Sequence, residues 1–184
     1  MEVLYIVTAV IIILIIWYIC TLNKLNRADI KVEEALSGID VALTKRHDVI
    51  ESMVEVVKGY AKHEKEIIFA ATEIRKNMSL TEKVKANEVM NENLKNVNIA
   101  VEKYPEIKAS ENFKELQKTI ADAEEHLQAS RRCYNANVSS YNQLVLSFPT
   151  STVAKIKGMK EKKFFEAEDN KKDDIQVKLW LASS

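Results

Sequence analysis

Residues Val32–Val57 have the sequence VEEALSGIDVALTKRHDVIESMVEVV, and the spacing of their apolar residues decides the fold. These residues recur in alternating steps of four and three, like the a and d positions of a heptad, which a strand with a period of two cannot produce. The stepping continues to Met78, and only Arg46 and Glu64 interrupt its apolar character. The pattern predicts one long helix over about residues 23–76. Its a and d positions are Val32, Leu36, Ile39, Leu43, Arg46, Ile50, Met53, Val57, Tyr60, Glu64, Ile67, Ala71, Ile74 and Met78.

A second helix is expected to begin near Ser79. Ser79 and Glu82 have the spacing of a capping box, in which each side chain bonds the other residue's backbone N–H. The helix should cover about residues 82–103. Pro105 then ends it, because proline lacks the N–H that a helix needs. Tyr104–Ser110 is expected to be a connection.

Two more helices complete the expected fold. Apolar residues at helical spacing predict a third helix from about Phe113 to Phe148, where Pro149 follows. Thr150–Thr152 can cap a short fourth segment, Val153–Lys160. Because short connections place consecutive helices antiparallel, the second and third helices are expected to fold back along the first.

An uncharged segment precedes the bundle, with Val3 and Leu22 at its ends and Ile12 near its middle. As a helix it is about 30 Å long, the thickness of the hydrocarbon core of a bilayer. Trp17 lies towards one end, where aromatic rings favour the headgroup region. We predict a retained membrane anchor. A cleaved signal peptide fits less well because a basic start and a small-residue cleavage site are missing, and a buried core helix would be shorter.

The predicted fold class is therefore all-α, with an N-terminal transmembrane helix followed by an elongated antiparallel bundle of three to four long helices. The expected domains are an anchor (1–22), a helical bundle (23–160) and a charged, partly ordered C-terminal segment (161–184). Lys24, Arg27 and Lys31 follow the apolar segment, and no Lys or Arg precedes it. The positive-inside rule then places the bundle in the cytoplasm and the N-terminus outside the cell membrane. The unpaired Cys133 suits a reducing compartment.

Charge and motifs exclude several classes of protein. The 27 basic and 27 acidic residues give a net charge of zero, whereas a nucleic-acid binder needs a basic surface. The phosphate-binding, nucleophile-elbow and zinc-protease motifs do not occur. None of the histidines has a glutamate three residues before it, as a di-iron bundle requires. We expect no cofactor, no metal, no small-molecule ligand and no catalytic residue.

Polar residues on or beside the apolar stripe form one candidate site. The main interpretation is that Arg46 and Glu64 each pair with a residue across the bundle and fix its register, as buried polar residues can. The alternatives are a polar groove for a ligand or a partner, or a solvated face. The residues concerned are Asp40, Arg46, Asp48, Tyr60, His63 and Glu64.

A Tyr-Asn pair occurs twice in the third helix at a spacing of seven, which places both pairs on one face. They are Tyr134-Asn135 and Tyr141-Asn142. Tyrosine has apolar bulk and asparagine can bond across helices, so packing between helices is the main interpretation and a binding surface is the alternative.

Two adjacent phenylalanines, Phe164 and Phe165, lie in an otherwise polar stretch. They either dock back on the bundle or form an exposed contact for a partner or for the membrane surface.

Several segments, in order along almost the whole chain, resemble the LemA family. The resemblance implies a bacterial single-pass membrane protein with a long antiparallel helical bundle. It carries over no catalytic or ligand-binding residue, because the family has no established biochemical function. The segments are ALSGIDV (35–41), KRHDVI (45–50), VKGYAKHE (57–64), RRCYNANVSSYN (131–142), Phe148-Pro149 and Phe164-Phe165-Glu166.

The favoured function is a non-enzymatic, membrane-anchored scaffold or adaptor that contacts other membrane or cytoplasmic proteins. A ligand-binding sensor or enzyme, with a groove near Arg46, His63 and Glu64, is the first alternative. A membrane-shaping oligomer is the second.

Overall fold

The structure, a computed structural model, describes residues 1–60, 69–71, 74–75 and 78–165. All regular secondary structure within these ranges is helical, which confirms the all-α class. The helices are α1 (Glu2–Tyr60), α2 (Leu80–Lys103), α3 (Pro105–Ala109), α4 (Glu111–Leu146) and α5 (Thr150–Ile156).

The apolar segment and the first bundle helix are one continuous helix. α1 has 59 residues and is therefore roughly 88 Å long. An 18-residue window within it has a mean hydropathy of 2.9 and no buried residue, so it is long and apolar enough to cross a membrane. At the end of this segment, Tyr18 and Leu22 pack against the core of the bundle, and Thr21 is buried.

The predicted continuation of the first helix to about Lys76 is wrong for the residues that can be compared. Phe69–Ala71 and Ile74–Arg75 lie outside any helix. The side chain of Asn93 on α2 accepts from the N–H of Ala70 at 3.0 Å and donates to its carbonyl at 2.9 Å. A contact with α2 thus satisfies backbone groups that the helix would otherwise have paired.

α2 begins at Leu80, two residues before the predicted start, and directly after the predicted cap residue Ser79. The Oγ of Ser79 accepts from the N–H of Glu82 at 3.3 Å, and the Glu82 carboxylate accepts from the N–H of Ser79 at 2.7 Å. The expected capping box is therefore formed. Contrary to expectation, α2 runs parallel to α1. Asp40 pairs with Lys83 and Arg46 with Asn87, so residue numbers increase in the same direction along both helices. The connection from Tyr60 to α2 is long, and the rule for short connections does not apply to it.

α4 is the antiparallel partner of α1 and packs along most of the bundle. Arg46 meets Glu124 near the middle of α4, whereas Lys24 lies beside Leu144 near its end. α3 lies where only a connection was expected. It turns the chain between α2 and α4 and buries Ile107.

α5 begins earlier and ends earlier than predicted, and the expected cap by Thr150–Thr152 is wrong. Pro149 is at the N-cap position and makes no side-chain capping bond. The Oγ of Thr150 donates instead to the carbonyls of Leu144 and Ser147, at 2.5 and 2.8 Å. Thr150 thereby bonds the carbonyl of Leu144, which the end of α4 leaves without a helical partner, whereas the carbonyl of Ser147 also accepts from the N–H of Ser151 at 2.8 Å.

One continuous hydrophobic core joins the helices. The stripe predicted on α1 is buried at most of its positions up to Val57, although Leu36 is only half-buried. α4 contributes Phe113, Ile120, Ala123, Leu127, Tyr134, Val138 and Tyr141 to the core, and Phe165 is buried in it from beyond α5.

Candidate functional site

Arg46 lies at the centre of the bundle and joins three helices. Its side chain is among the largest that are fully buried. Its Nε donates to the Oε1 of Glu124 on α4 at 2.7 Å. On α2, its Nη1 donates to the Oδ1 of Asn87 at 2.6 Å and its Nη2 to the Oδ1 of Asn91 at 2.7 Å. All three nitrogen atoms are bonded, as a buried guanidinium requires, since an unpaired buried charge is strongly destabilising.

The pairing of Arg46 across the bundle was expected, but its partners were not. Asn87 and Asn91 are four residues apart, so they lie on one face of α2. Glu124 directly follows the core residue Ala123. Asn91 likewise follows the core residue Met90, so the sequence showed a polar residue beside the core at both places but not which residue it binds. Glu64, the other polar residue of the stripe, lies outside the described residues, as does His63.

A second arginine lies near this cluster. The pKa of Arg131 is lowered, first because burial disfavours its charged form and then because Arg46 is a like charge nearby. Glu124 opposes that shift. The guanidinium of Arg131 lies over the ring of Phe165, 4.9 Å from its centroid, as in a cation–π contact.

The other polar residues predicted near the stripe do not converge on Arg46. Asp40 pairs with the buried Lys83 at 2.6 Å, and Asp48 is exposed with His47 Nδ1 at 3.5 Å from its Oδ1. Tyr60 is exposed at the end of α1. A cavity of about 270 Å³ is lined by His47 but by neither Arg46 nor Asp48. In the part of the chain that the structure describes, the predicted groove residues thus point to separate places.

The two asparagines of the Tyr-Asn repeat bind a segment beyond α5 rather than a helix. We call residues 160–165, which have no regular secondary structure, the strap. Asn142 bonds both backbone groups of Lys162 at 2.9 Å, and Asn135 bonds both of Phe165, at 2.8 and 3.2 Å. Seven residues of helix advance about 10.5 Å, and three residues of extended chain advance about 10 Å. The spacing of seven therefore matches two strap residues that are three apart.

The tyrosines of the repeat fill the core, as packing residues should. Tyr134 and Tyr141 are almost fully buried. The hydroxyl of Tyr134 donates to the carbonyl of Lys163 at 2.9 Å, and the Nζ of Lys162 lies 5.3 Å from the ring centroid of Tyr141. Burial raises the pKa of both tyrosines, and for Tyr141 the charge of Asp29 adds to the rise.

The two phenylalanines of the pair differ in burial. Phe165 docks in the core at 2 % exposure, whereas Phe164 is 41 % exposed. Lys162 also forms an ion pair with Asp29 on α1. The strap therefore contacts both α1 and α4 and closes one side of the bundle.

No group of three or more His, Cys, Asp or Glu side chains close enough to hold a metal ion occurs among the residues with described positions. The polar contacts of Arg46, Asn135 and Asn142 thus join helices to one another and hold the strap against α4.

The sequence model of the LemA family matches residues 35–179. The chain belongs to the LemA family. The Arg46 cluster and the strap lie inside the matched range, whereas the apolar segment of α1 precedes it. No biochemical activity is established for the LemA family.

Among curated relatives, Protein LemA of Metamycoplasma hominis is 26 % identical over 165 residues, which cover 87 % of this LemA-family chain and 75 % of the relative. Magnetosome protein MamQ of Magnetospirillum gryphiswaldense is 28 % identical over 65 residues, or 35 % of this chain and 24 % of that protein. Magnetosome protein MamQ 2 of Paramagnetospirillum magneticum is 30 % identical over 66 residues, or 36 % and 24 %.

Proposed function

We propose that this protein is a single-pass, membrane-tethered helical scaffold that acts by contacting other proteins. The observation that carries the proposal is the continuity of α1 from its unburied apolar segment into the bundle core. Beyond Leu22 the helix extends for roughly 57 Å. A partner bound to the bundle is therefore held at a set height above the lipid.

The end of the bundle beside the apolar segment supports membrane contact. Leu146, Phe148 and Ile156 are 59, 85 and 68 % exposed. They lie where α4 meets α5, close to the start of the bundle, since Leu144 and Lys24 line the same groove. Exposed apolar side chains at this level favour lipid contact, where their transfer from water is favourable.

One flank of α1 is suited to a protein partner. Ile30 and Val41 are 54 and 62 % exposed and lie on the same face, because three helical turns separate them. They are roughly 16 Å apart. Ser37 is exposed between them. Glu34 is exposed on the same face, so the surface combines two apolar side chains with a small polar and a charged one, as the surfaces that proteins use for contact often do.

Site-specific photo-crosslinking in living cells tests this flank. A photoreactive amino acid at Ile30 or Val41 should give adducts with the same partner protein at natural abundance. The exposed Asp122 on α4 is the matched control position and should not give that adduct. If neither flank position yields an adduct, the proposed contact surface is wrong.

Lys24, Arg27 and Lys31 support a cytoplasmic bundle through the positive-inside rule. Cys133 is exposed, so it can report the compartment once Cys20 is replaced by serine. An impermeant maleimide should label Cys133 in lysed cells but not in intact ones. Labelling in intact cells would reverse the proposed orientation.

A further inference from the structure

A groove of about 570 Å³ opens between α1 and α4 directly beyond the apolar segment. α1 contributes Cys20, Lys24, Arg27 and Lys31, which recur at helical spacing and therefore share one face. α4 contributes Asn137 and Ser140. The groove thus begins in the apolar segment and ends among cations.

The depth of these cations matches that of lipid phosphates. Counted from Leu22, Lys24 and Arg27 lie about 3 and 7.5 Å further along the helix axis. The headgroup layer extends about 5–8 Å beyond the hydrocarbon on each side of a bilayer. Lys31 lies about 13.5 Å beyond Leu22, and its long side chain can reach back towards that layer.

The three cations are not neutralised by the residues described around them. Lys83 and Lys162 pair with Asp40 and Asp29, but Lys24, Arg27 and Lys31 form no ion pair with any residue in the described ranges. No acidic residue from those ranges lines the groove.

We propose that this groove binds an anionic phospholipid, with the headgroup phosphate between the cations. The proposal rests on membrane insertion of α1. Lys24 and Arg27 donate to the phosphate oxygens, and so does the amide of Asn137, whose contact with the Cys133 sulfur is long at 3.7 Å. The acyl chains lie along the face that continues upstream of Cys20, where Ile13 and Trp17 are 64 and 38 % exposed. A zwitterionic lipid binds less well, because its own cation would face those of the groove.

Trp17 lies one turn from the groove and can report which lipid occupies it. The full chain with Trp180→Phe, so that Trp17 is its only tryptophan, is reconstituted in phosphatidylcholine vesicles. A fixed fraction of the lipid is replaced by brominated phosphatidylglycerol or by brominated phosphatidylcholine. The brominated anionic lipid should quench the fluorescence of Trp17 at least about twice as strongly as the brominated zwitterionic lipid does.

Two triple variants separate the groove from general surface charge. Lys24→Gln/Arg27→Gln/Lys31→Gln should bring the two quenching levels together. Lys155→Gln/Lys157→Gln/Lys160→Gln removes the same charge from exposed positions in and after α5 and should keep the preference. Far-ultraviolet circular dichroism should be unchanged in both, since every replaced side chain is exposed.

Equal quenching by both lipids in the parent protein overturns the groove, and so does an equal loss of preference in both triple variants. If neither lipid quenches Trp17, membrane insertion itself fails and the groove proposal fails with it. Added inorganic phosphate should reduce the preference no more than sodium chloride at the same ionic strength. A larger reduction by phosphate than by sodium chloride would indicate that the groove binds a free anion, and it would overturn the proposal of lipid binding.

Discussion

The side-chain amide of Asn142 accepts from the N–H of Lys162 and donates to the carbonyl of the same residue, both at 2.9 Å. Asn135 does the same with Phe165. An amide side chain has a donor and an acceptor in one plane, so it can pair a single residue as a neighbouring strand would. α4 therefore fastens the strap at two points without a β-sheet.

Replacing Asn142 with leucine keeps its size and removes both bonds. We expect amide exchange of Lys162 to rise by about tenfold or more, because its backbone groups lose their partners at about 1–3 kcal/mol. Hydrogen exchange read by mass spectrometry on peptides that cover the strap measures this. Gln143→Ala, at the exposed neighbouring position, is the control and should leave exchange unchanged. Unaltered exchange in Asn142→Leu would mean that the asparagine does not hold the strap.

The Arg46 cluster gives a prediction about stability. Glu124→Gln keeps the shape of the side chain but leaves the buried guanidinium without its counter-charge. The free energy of unfolding should fall by about 1–3 kcal/mol, less than for a fully buried pair, because Glu124 is one-third exposed and partly screened. Urea unfolding of the detergent-solubilised chain, followed by circular dichroism, measures the change.

A double-mutant cycle tests whether the two charges act together. Arg46→Met removes the charge that Glu124 balances, so the double variant should be less destabilised than the sum of the two single ones, by about 0.5–3 kcal/mol. Glu125→Gln, an exposed neighbour, should change stability by less than about 0.5 kcal/mol. Strictly additive losses would argue against a coupled pair.

Because the tyrosines of the repeat are buried, we expect the folded protein to lose stability at high pH. Burial raises the pKa of Tyr134, so the fold favours its protonated form. That contribution is fully present below the ordinary tyrosine pKa of about 10, and it is lost as the pH rises through the higher folded value. The phenolate also cannot donate to the carbonyl of Lys163. Tyrosinate absorbance of the intact chain minus that of Tyr134→Phe should give a titration above the ordinary range. A midpoint at or below the ordinary value would contradict the buried position.

The cap of α2 predicts the opposite direction of shift. The hydroxyl and the N–H of Ser79 bond the carboxylate of Glu82 and lower its pKa. The cap's contribution is therefore present above the ordinary glutamate pKa and is lost as the pH falls through the lowered one. In an NMR titration, Ser79→Ala should raise the pKa of Glu82 towards its ordinary value. Thr81→Ala, which leaves both capping bonds in place, should not. Equal pKa values in Ser79→Ala and the parent would exclude the hydroxyl as the cause.

Local sequence rules predicted most of the helical framework. The stripe over Val32–Val57 and the capping box at Ser79 act through neighbours three or four residues away, which a sequence displays directly. The direction of α2 depends instead on contacts between distant residues, such as Asp40 with Lys83. The stripe was misleading at Ala71 and Ile74, which lie outside any helix, because period alone does not show that Asn93 bonds the backbone of Ala70.

The candidate sites show the same difference between local features, which the sequence displays, and contacts between distant residues, which it does not. Arg46 was recognisable as a polar residue in an apolar stripe, but its partners come from two other helices and needed the fold to be identified. The repeat of Tyr134 and Tyr141 was equally visible. Its partner was not, because the strap lacks any periodic pattern, and the match between helical and extended spacing appears only when both segments are placed together.

The unbroken course of α1 from its apolar segment into the bundle has a mechanical consequence for the proposed membrane anchor. Because α1 is not interrupted at Leu22, a change in the tilt of its apolar segment moves the remainder of the helix as one rigid body. A tilt of 10°, well within the range seen for membrane helices, would move the far end of α1 sideways by about 10 Å. A change in bilayer thickness or tension would thus shift the position of a partner bound at the far end of α1.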